Sequence, residues 1–194
     1  MQFFDLNDNI RFYSNVGSLG IDGCFSTFVG QSTATEKLSF LLIGDLSFFY
    51  DMNAAGIRSI GNNVRIILLN NGGGSEFQFF MGKERIPTLD NYICAEHDKV
   101  ATGWIVSLGY DYYSATNISE FEEIIELFGK QSEKPMFLEV FTNMEEDANL
   151  TNIFYDEYRK PNVGYTKKIK KVISGIFPQK QKDKVKKIIS ILKE

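Results

Sequence analysis

Two nearly unbroken apolar runs constrain the fold of this chain more than any other feature. They occupy residues 38–43 and 64–69, and each has the length and character of a β-strand that is covered on both faces. A helical stretch is expected between them, at about 47–60. Strands that alternate with helices predict a parallel sheet with helices on both of its faces.

The same alternation continues along the chain. Further strands are predicted at 11–14, 110–113 and 136–141, and further helices at 22–33, 98–108 and 119–128. Ser119 and Glu122 have the spacing of a capping box and predict the start of the last helix. We therefore predict an α/β fold, with a doubly wound, mainly parallel sheet, over residues 1–164.

The final segment, residues 165–194, differs in charge from the rest of the chain. It holds ten lysines and two acidic residues, although the whole chain has a net charge of −4. Its apolar residues follow helical spacing, which predicts a basic amphipathic helical tail. We expect this tail to dock on the acidic body or on a neighbouring subunit, in preference to a membrane. The acidic body argues against a nucleic-acid partner.

Composition and the absence of certain sequence patterns predict where in the cell the protein is located. No apolar run reaches the roughly 20 residues that a membrane-spanning helix needs. The first residues lack the basic start and cleavage site of a signal peptide. The two cysteines, Cys24 and Cys94, do not make a disulfide framework. These features predict a cytoplasmic protein.

Polar residues follow both apolar runs at the point where each predicted strand ends. Gly44 and Asp45 follow the first, and Asn71 lies 26 residues after Asp45, just beyond the second. In open parallel sheets, ligands bind beyond the carboxyl ends of the strands. A carboxylate suits a phosphate site only when a hard cation lies between them, and Mg²⁺ prefers such oxygen ligands. The pattern therefore predicts a magnesium site that holds a phosphorylated ligand, although each motif alone is also a common turn.

This arrangement resembles the thiamine-diphosphate-binding motif. Gly-Ile-Asp-Gly at 20–23 and Gly-Asp-Leu-Ser at 44–47 are most similar to the C-terminal, diphosphate-binding domain of succinyl-enolpyruvyl-hydroxycyclohexene-carboxylate synthases of menaquinone biosynthesis. The resemblance implies that Mg²⁺ is held by Asp45, Asn71 and the carbonyl of Gly73. It implies that the cofactor is contacted by Ser18, Gly20, Ile21, Gly44, Asp45, Leu46, Ser47, Asn71, Gly73 and Phe77. For Phe77, buried packing is the alternative.

The resemblance also implies an activity. Such enzymes decarboxylate an α-keto acid and transfer the acyl anion to an acceptor. Their activating glutamate lies in a separate pyrimidine-binding domain, so we expect the catalytic residue outside this chain, which would be an excised domain or a subunit of a split enzyme. A homo-oligomer, dimeric or tetrameric, is expected. A simple decarboxylase and a non-catalytic binding module with a vestigial site remain the alternatives.

Three departures from the family pattern and two single residues also bear on the function. Val16 stands where the family has arginine, a second arginine near the N-terminus has no clear equivalent, and Glu76 replaces an isoleucine, so a different substrate is expected. His97, the only histidine, could relay protons, but a capping or surface role is favoured. Trp104 is expected in the core.

Overall fold

The computed structural model describes residues 10–14, 20–80 and 87–158. The chain divides into two compact units, Met1–Ala148 and Asn149–Glu194. The sheet lies in the first unit. The predicted tail at 165–194 lies outside the described residues, and the predicted division at 164/165 stays a prediction.

Among its described residues, the first unit is organised by a sheet of four parallel strands. The strands are β1 (Ser39–Gly44), β2 (Val64–Asn70), β3 (Asp111–Ala115) and β4 (Met136–Phe141). Their spatial order is β1-β2-β4-β3, and every neighbouring pair is parallel. All carboxyl ends therefore lie at one edge of the sheet.

Helices connect the strands. They are α1 (Cys24–Ser32), α2 (Asp45–Tyr50), a 3₁₀ helix (Met52–Gly56), α3 (Ser75–Phe80), α4 (Pro87–Tyr92), α5 (Thr102–Ser107), α6 (Ile118–Phe128) and α7 (Met144–Tyr158). Within the described part of the chain, none of them is long and apolar enough to cross a membrane.

The helices cover the two faces of the sheet unequally. On one face, α1, α2 and α5 contribute buried side chains to a large core that includes Phe25, Phe48 and Ile105. On the other face, Phe128 and its neighbours on α6 pack against a smaller cluster around Leu138. Helices on both faces of a parallel sheet confirm the predicted fold class.

Strand β1 is covered on one face only, contrary to the expectation. Ile43 is buried, whereas the Phe40 and Leu42 side chains on the opposite face are 45% and 54% exposed. The reason is position, since β1 is the edge strand and α6 packs over β3 and β4 at the far side. A continuous apolar run therefore did not distinguish a fully covered strand from an edge strand.

Four further expectations about local structure were wrong in whole or in part. Residues 11–14 form no strand. The stretch at 47–60 is the short helix α2 followed by a 3₁₀ helix, and α5 begins at Thr102 rather than at Asp98. Helix α6 is capped by Asn117, whose extended backbone lets its side chain accept a hydrogen bond of 3.1 Å from the Glu120 amide. This cap replaces the predicted Ser119 cap.

Arg65 is fully buried in β2. Its guanidinium donates hydrogen bonds of 2.7–3.0 Å to four main-chain carbonyls, those of Phe128, Lys130, Asn62 and Val64. Burial lowers the pKa of Arg65. Because two of these carbonyls lie at the end of α6, the side chain fastens that helix to the sheet.

Candidate functional site

The ends of β1 and β2 bring the two predicted metal-binding segments together. Gly44 lies opposite Leu69 in the parallel ladder, so Asp45 and Asn71 follow at adjacent strand ends. The main-chain amide of Asn71 donates a hydrogen bond of 3.1 Å to Oδ2 of Asp45. Asp45 and Asn71 therefore lie in direct contact, as the spacing predicts.

The Asp45 carboxylate is only 2% exposed and is held by main-chain amides. Its Oδ2 accepts from the amides of Asn71, Gly72 and Gly73 at 3.1, 2.8 and 3.0 Å. Its Oδ1 accepts from the Leu46 amide at 2.6 Å. A carboxylate oxygen has about two lone-pair sites, so Oδ2 is fully occupied while Oδ1 keeps room for one more partner.

The orientation of the Asn71 side chain follows from its donors. Nδ2 donates to Oδ2 of Asp147 at 2.9 Å and to Oγ of Ser75 at 3.3 Å. Oδ1 accepts from the Gly73 amide at 3.3 Å. Because Nδ2 donates to Asp147, Oδ1 points in the other direction, toward the loop. It accepts one hydrogen bond there and can still accept a second one.

Glycine is required in this loop for conformation and for space. Gly72 has φ of 84°, in the left-handed region that favours glycine. A Cβ on Gly73 would lie 2.8 Å from the carbonyl oxygen of Cys94. The segment that approaches so closely is hydrogen-bonded to the loop, because the Gly74 amide donates to Cys94 and the His97 amide donates to Gly72.

His97 is a buried neighbour of the Asp45 carboxylate. Its side chain is 3% exposed, and Nε2 lies 3.4 Å from Oδ2 of Asp45. The edge of the imidazole meets the ring of Phe49, with centroids 5.3 Å apart and planes at 88°. Of the capping or surface role that the sequence favoured for His97, the surface position is therefore wrong, whereas Nδ1 does accept a hydrogen bond of 3.1 Å from the nearby Lys99 amide.

A second buried carboxylate, Glu139 on β4, fixes the end of β2. It accepts from Nδ2 of Asn70 at 2.7 Å, from the Ala101 amide at 3.1–3.2 Å and from the Tyr112 hydroxyl at 2.7 Å. Asn70 also donates to the carbonyl of Lys99 at 2.9 Å. Glu139 thus connects the residue before Asn71 to the start of α5.

The remaining predicted cofactor residues lie in different settings. Ile21 and Ser47 are joined, since the Ser47 hydroxyl donates to the Ile21 carbonyl at 2.9 Å. Gly20 is exposed, and Phe77, on α3, is 38% exposed. Phe77 therefore is not simply buried in the core. Ser18 lies outside the described residues.

A recess of about 300 Å³ opens beside the loop. Its lining is polar and comes from three parts of the chain: Asn71, Gly72, Glu96, His97, Asn143, Met144 and Glu145. Space for a ligand therefore adjoins Asn71 and His97.

The donor types at this edge of the sheet fit a hard cation. Among residues 10–14, 20–80 and 87–158, no three histidine, cysteine, aspartate or glutamate side chains form a group that could hold a metal. An ion near Asp45 would consequently be held by one carboxylate together with neutral oxygens such as Oδ1 of Asn71. Mg²⁺, which is bound by few protein ligands and takes phosphate oxygens as well, accepts such a set.

Sequence reasoning missed the residues that support the site. Asp147 and Glu139 lie far along the chain from the loop that they contact, and neither stands in a motif. For His97, the sequence favoured a capping or surface role over a proton relay in the site. Only its place shortly after the glycine loop pointed toward the site.

Comparisons with known proteins agree with the motif. No family model matches the chain. A 2-succinyl-5-enolpyruvyl-6-hydroxy-3-cyclohexene-1-carboxylate synthase of Phocaeicola vulgatus is 39% identical over 163 residues, which cover 83% of this chain and 29% of that protein. The synthase of the same name from Bacteroides fragilis is 38% identical over 81% of this chain and 29% of its own length. That from Desulfotalea psychrophila is 39% identical over 70% of this chain and 25% of its own.

The similarity covers most of this chain but a minor part of each relative. The chain spans about 29% of the length of the first two synthases. The resemblance inferred from the strand-end motifs is confirmed, and this chain is a homologue of part of the 2-succinyl-5-enolpyruvyl-6-hydroxy-3-cyclohexene-1-carboxylate synthases.

Proposed function

We propose that this chain binds thiamine diphosphate and Mg²⁺ as part of a thiamine-diphosphate-dependent transferase or lyase. The observation that carries the proposal is the contact between Asp45 and the loop of Asn71, Gly72 and Gly73 at adjacent strand ends. The homology to synthases supports an enzymatic role.

In the proposed site, Asp45, Asn71 and the Gly73 carbonyl hold the cation. Oδ1 of Asp45 and Oδ1 of Asn71 are the oxygens with remaining acceptor capacity. Ser18, Gly20, Ile21, Gly44, Leu46, Ser47 and Phe77 border the cofactor. The hydrogen bond between Ser47 and Ile21 keeps the turn at 20–21 against the start of α2, so both segments can contact one ligand.

The proposed reaction is decarboxylation of an α-keto acid and transfer of the acyl anion equivalent to an acceptor. When bound, thiamine diphosphate supplies the stabilisation of the carbanion that decarboxylation leaves. This chain would bind and orient the diphosphate end. A pyrimidine-binding domain or subunit, within a homo-oligomer, would supply the activating glutamate.

Calorimetric titration of the full chain with thiamine diphosphate and Mg²⁺ tests the binding step. Asp45→Asn is the informative variant, because its amide oxygen can still accept from the three loop amides while its NH₂ replaces Oδ1, with loss of the hydrogen bond from the Leu46 amide. We expect affinity to fall at least about tenfold, equivalent to about 1.4 kcal/mol. Asp111→Asn is the matched control, since Asp111 begins β3 at the opposite edge of the sheet.

The outcomes separate the proposed function from its alternatives. Binding that is unchanged in Asp45→Asn, or that persists without a divalent cation, contradicts the proposed site. Turnover requires the pyrimidine-binding partner, and assays with pyruvate and 2-oxoglutarate, with and without an acceptor, distinguish a transferase from a decarboxylase. Cofactor binding without any turnover in the complete assembly would support a non-catalytic binding module.

A further inference from the structure

Helix α1 begins without a capping side chain of its own. Its N-cap is Gly23, which has φ of 69° and offers no side chain to the first amides of the helix. Most residues with a capping side chain would be strained at this φ. Because the first amides of an α-helix have no partner within the helix, a cap for α1 must come from another part of the chain.

Asp51, the residue after α2, supplies that cap. Its Oδ2 accepts a hydrogen bond of 2.7 Å from the main-chain amide of Ser26, in the first turn of α1. The Ser26 hydroxyl lies 2.8 Å from the same oxygen and 3.3 Å from the Gly23 carbonyl, so its shorter hydrogen bond is also to Asp51. A carboxylate suits this place because the N-terminus of a helix favours a negative charge.

The start of α1 is joined to α2 at two further points. The Ser47 hydroxyl, on α2, donates to the Ile21 carbonyl at 2.9 Å. The rings of Phe25 and Phe48 pack against each other, with centroids 5.8 Å apart. Apolar packing has no preferred direction, whereas hydrogen bonds do. The polar contacts therefore fix how the start of α1 is placed against α2.

These contacts connect the turn at 20–21 to the proposed cation site. Asp45 begins α2 and Asp51 follows it, so one short helix carries both the proposed cation ligand and the cap of α1. The chain from Ile21 to Ser26 is held by α2 at both of its ends. Loss of either hydrogen bond would let the turn move relative to Asp45.

We propose that Asp51 is a positioning residue, which caps α1 and thereby holds the turn at 20–21 where it contacts the part of the cofactor beyond the diphosphate. The contact with the cofactor rests on the proposed function, whereas the cap does not. Without the cap, the turn occupies its binding position for a smaller fraction of the time, and the apparent affinity falls by that fraction. The contribution of a helix cap corresponds to a factor of about 5.

The first test is nuclear magnetic resonance of the ¹⁵N-labelled full chain without cofactor. In Asp51→Ala we expect about fivefold faster hydrogen exchange of the Ser26 amide, together with shifted amide signals of Gly20 and Ile21. Asp51→Asn is the matched control, because it removes the same charge but keeps an oxygen that caps a helix equally well. Unshifted signals of Gly20 and Ile21 in Asp51→Ala would overturn the proposal whether or not the cofactor binds.

The second test is calorimetric affinity, measured in parallel for thiamine diphosphate and for inorganic pyrophosphate, each with Mg²⁺. Pyrophosphate has the diphosphate group but lacks the rest of the cofactor. In Asp51→Ala we expect the affinity for thiamine diphosphate to fall about fivefold and that for pyrophosphate to stay unchanged. Asp51→Asn should restore the affinity for thiamine diphosphate. Asn117→Ala, which removes the cap of α6 at the far side of the sheet, should change neither affinity.

The comparison of the two ligands distinguishes positioning from a general loss of structure. An equal fall for both ligands in Asp51→Ala, or the same fall in Asn117→Ala, would overturn the proposal. Should Asp51→Ala fail to fold, Ser26→Ala decides, because it keeps the amide donor and loses only the hydroxyl. We expect it to bind thiamine diphosphate about twofold more weakly, and unchanged affinity would count against the proposal. If the wild type binds neither ligand, the proposed function fails and the resonance experiment alone decides the role of Asp51.

Discussion

Replacement of Glu139 measures how much the hydrogen bonds to this buried carboxylate at the end of β2 contribute to stability. The carboxylate is fully buried and accepts from three donors, on Asn70, Ala101 and Tyr112. Glu139→Ala removes all three acceptor interactions and leaves a cavity. Glu139→Gln keeps the shape, which makes it the matched control.

The expected magnitudes follow from the geometry of these bonds. In Glu139→Gln, the amide oxygen can accept from Asn70 and Ala101 while its NH₂ donates to the Tyr112 oxygen, because a hydroxyl can also accept. Only the charge assistance is lost, so the free energy of unfolding should fall by about 1–2 kcal/mol. In Glu139→Ala the donors are left unsatisfied, and a loss of about 3–5 kcal/mol is expected.

Urea unfolding of the full chain, followed by tryptophan fluorescence, measures both values. Trp104 is the only tryptophan and lies on α5, whose preceding residue Ala101 donates to Glu139. A loss of about 4 kcal/mol corresponds to a melting temperature lower by roughly 8–16 °C for a unit of this size. Equal stabilities of Glu139→Ala and Glu139→Gln would refute the reasoning, since hydrogen-bond satisfaction would then not matter at this position.

Three further predictions concern stability. Arg65→Met should lower the free energy of unfolding by about 3 kcal/mol in urea titrations, because four carbonyls lose their donor; an unchanged midpoint would contradict the fastening role. Burial raises the pKa of Tyr110 and Tyr112 above their ordinary 10.0, so stability should be complete below pH 10 and fall at higher pH; thermal melts of the double phenylalanine variant should show a weaker alkaline decline. Asn117→Ala should cost about 1 kcal/mol by the same urea assay, with Asn117→Asp near wild type.

The sheet and the central pair of the site could be predicted because both depend on local sequence patterns. Apolar runs define β1 and β2, and the polar residues that follow them are fixed in place by strand geometry. Parallel pairing of consecutive strands then brings Asp45 and Asn71 together without knowledge of any other part of the fold. This is why one strand–helix–strand unit sufficed to predict their contact.

The supporting residues could not be predicted because they depend on strand order. β4 lies between β2 and β3, which places Glu139 beside Asn70 although 69 residues separate them. No local sequence pattern indicates that β4 lies between β2 and β3. Asp147 likewise reaches Asn71 across 76 residues of sequence. Such contacts become visible only when the topology is known.

Two candidate N-cap residues lie close together before α6, which explains why the predicted cap was wrong. Asn117 and Ser119 both have a glutamate three residues later, so both match a capping pattern. The structure uses Asn117, and Oε2 of Glu120 accepts in return from the Thr116 amide at 2.8 Å. The chain leaves β3 at Ala115, and a cap at Asn117 starts the helix immediately, whereas one at Ser119 would leave two more amides unpaired.

In the proposed site, the two oxygens of Asp45 have separate roles. Oδ2 holds the glycine loop through three amides, and this pairing compensates for the burial of the carboxylate before any ion binds. Oδ1, with a single amide donor, is then available to a cation at little structural cost. Loop integrity and cation affinity should therefore respond to different substitutions: Asp45→Asn should weaken binding while the loop persists, whereas Asp45→Ala should disrupt both. The rate of amide hydrogen exchange at Gly72 and Gly73 separates the two effects. Fast exchange of these amides in Asp45→Asn would show that the roles are not separable.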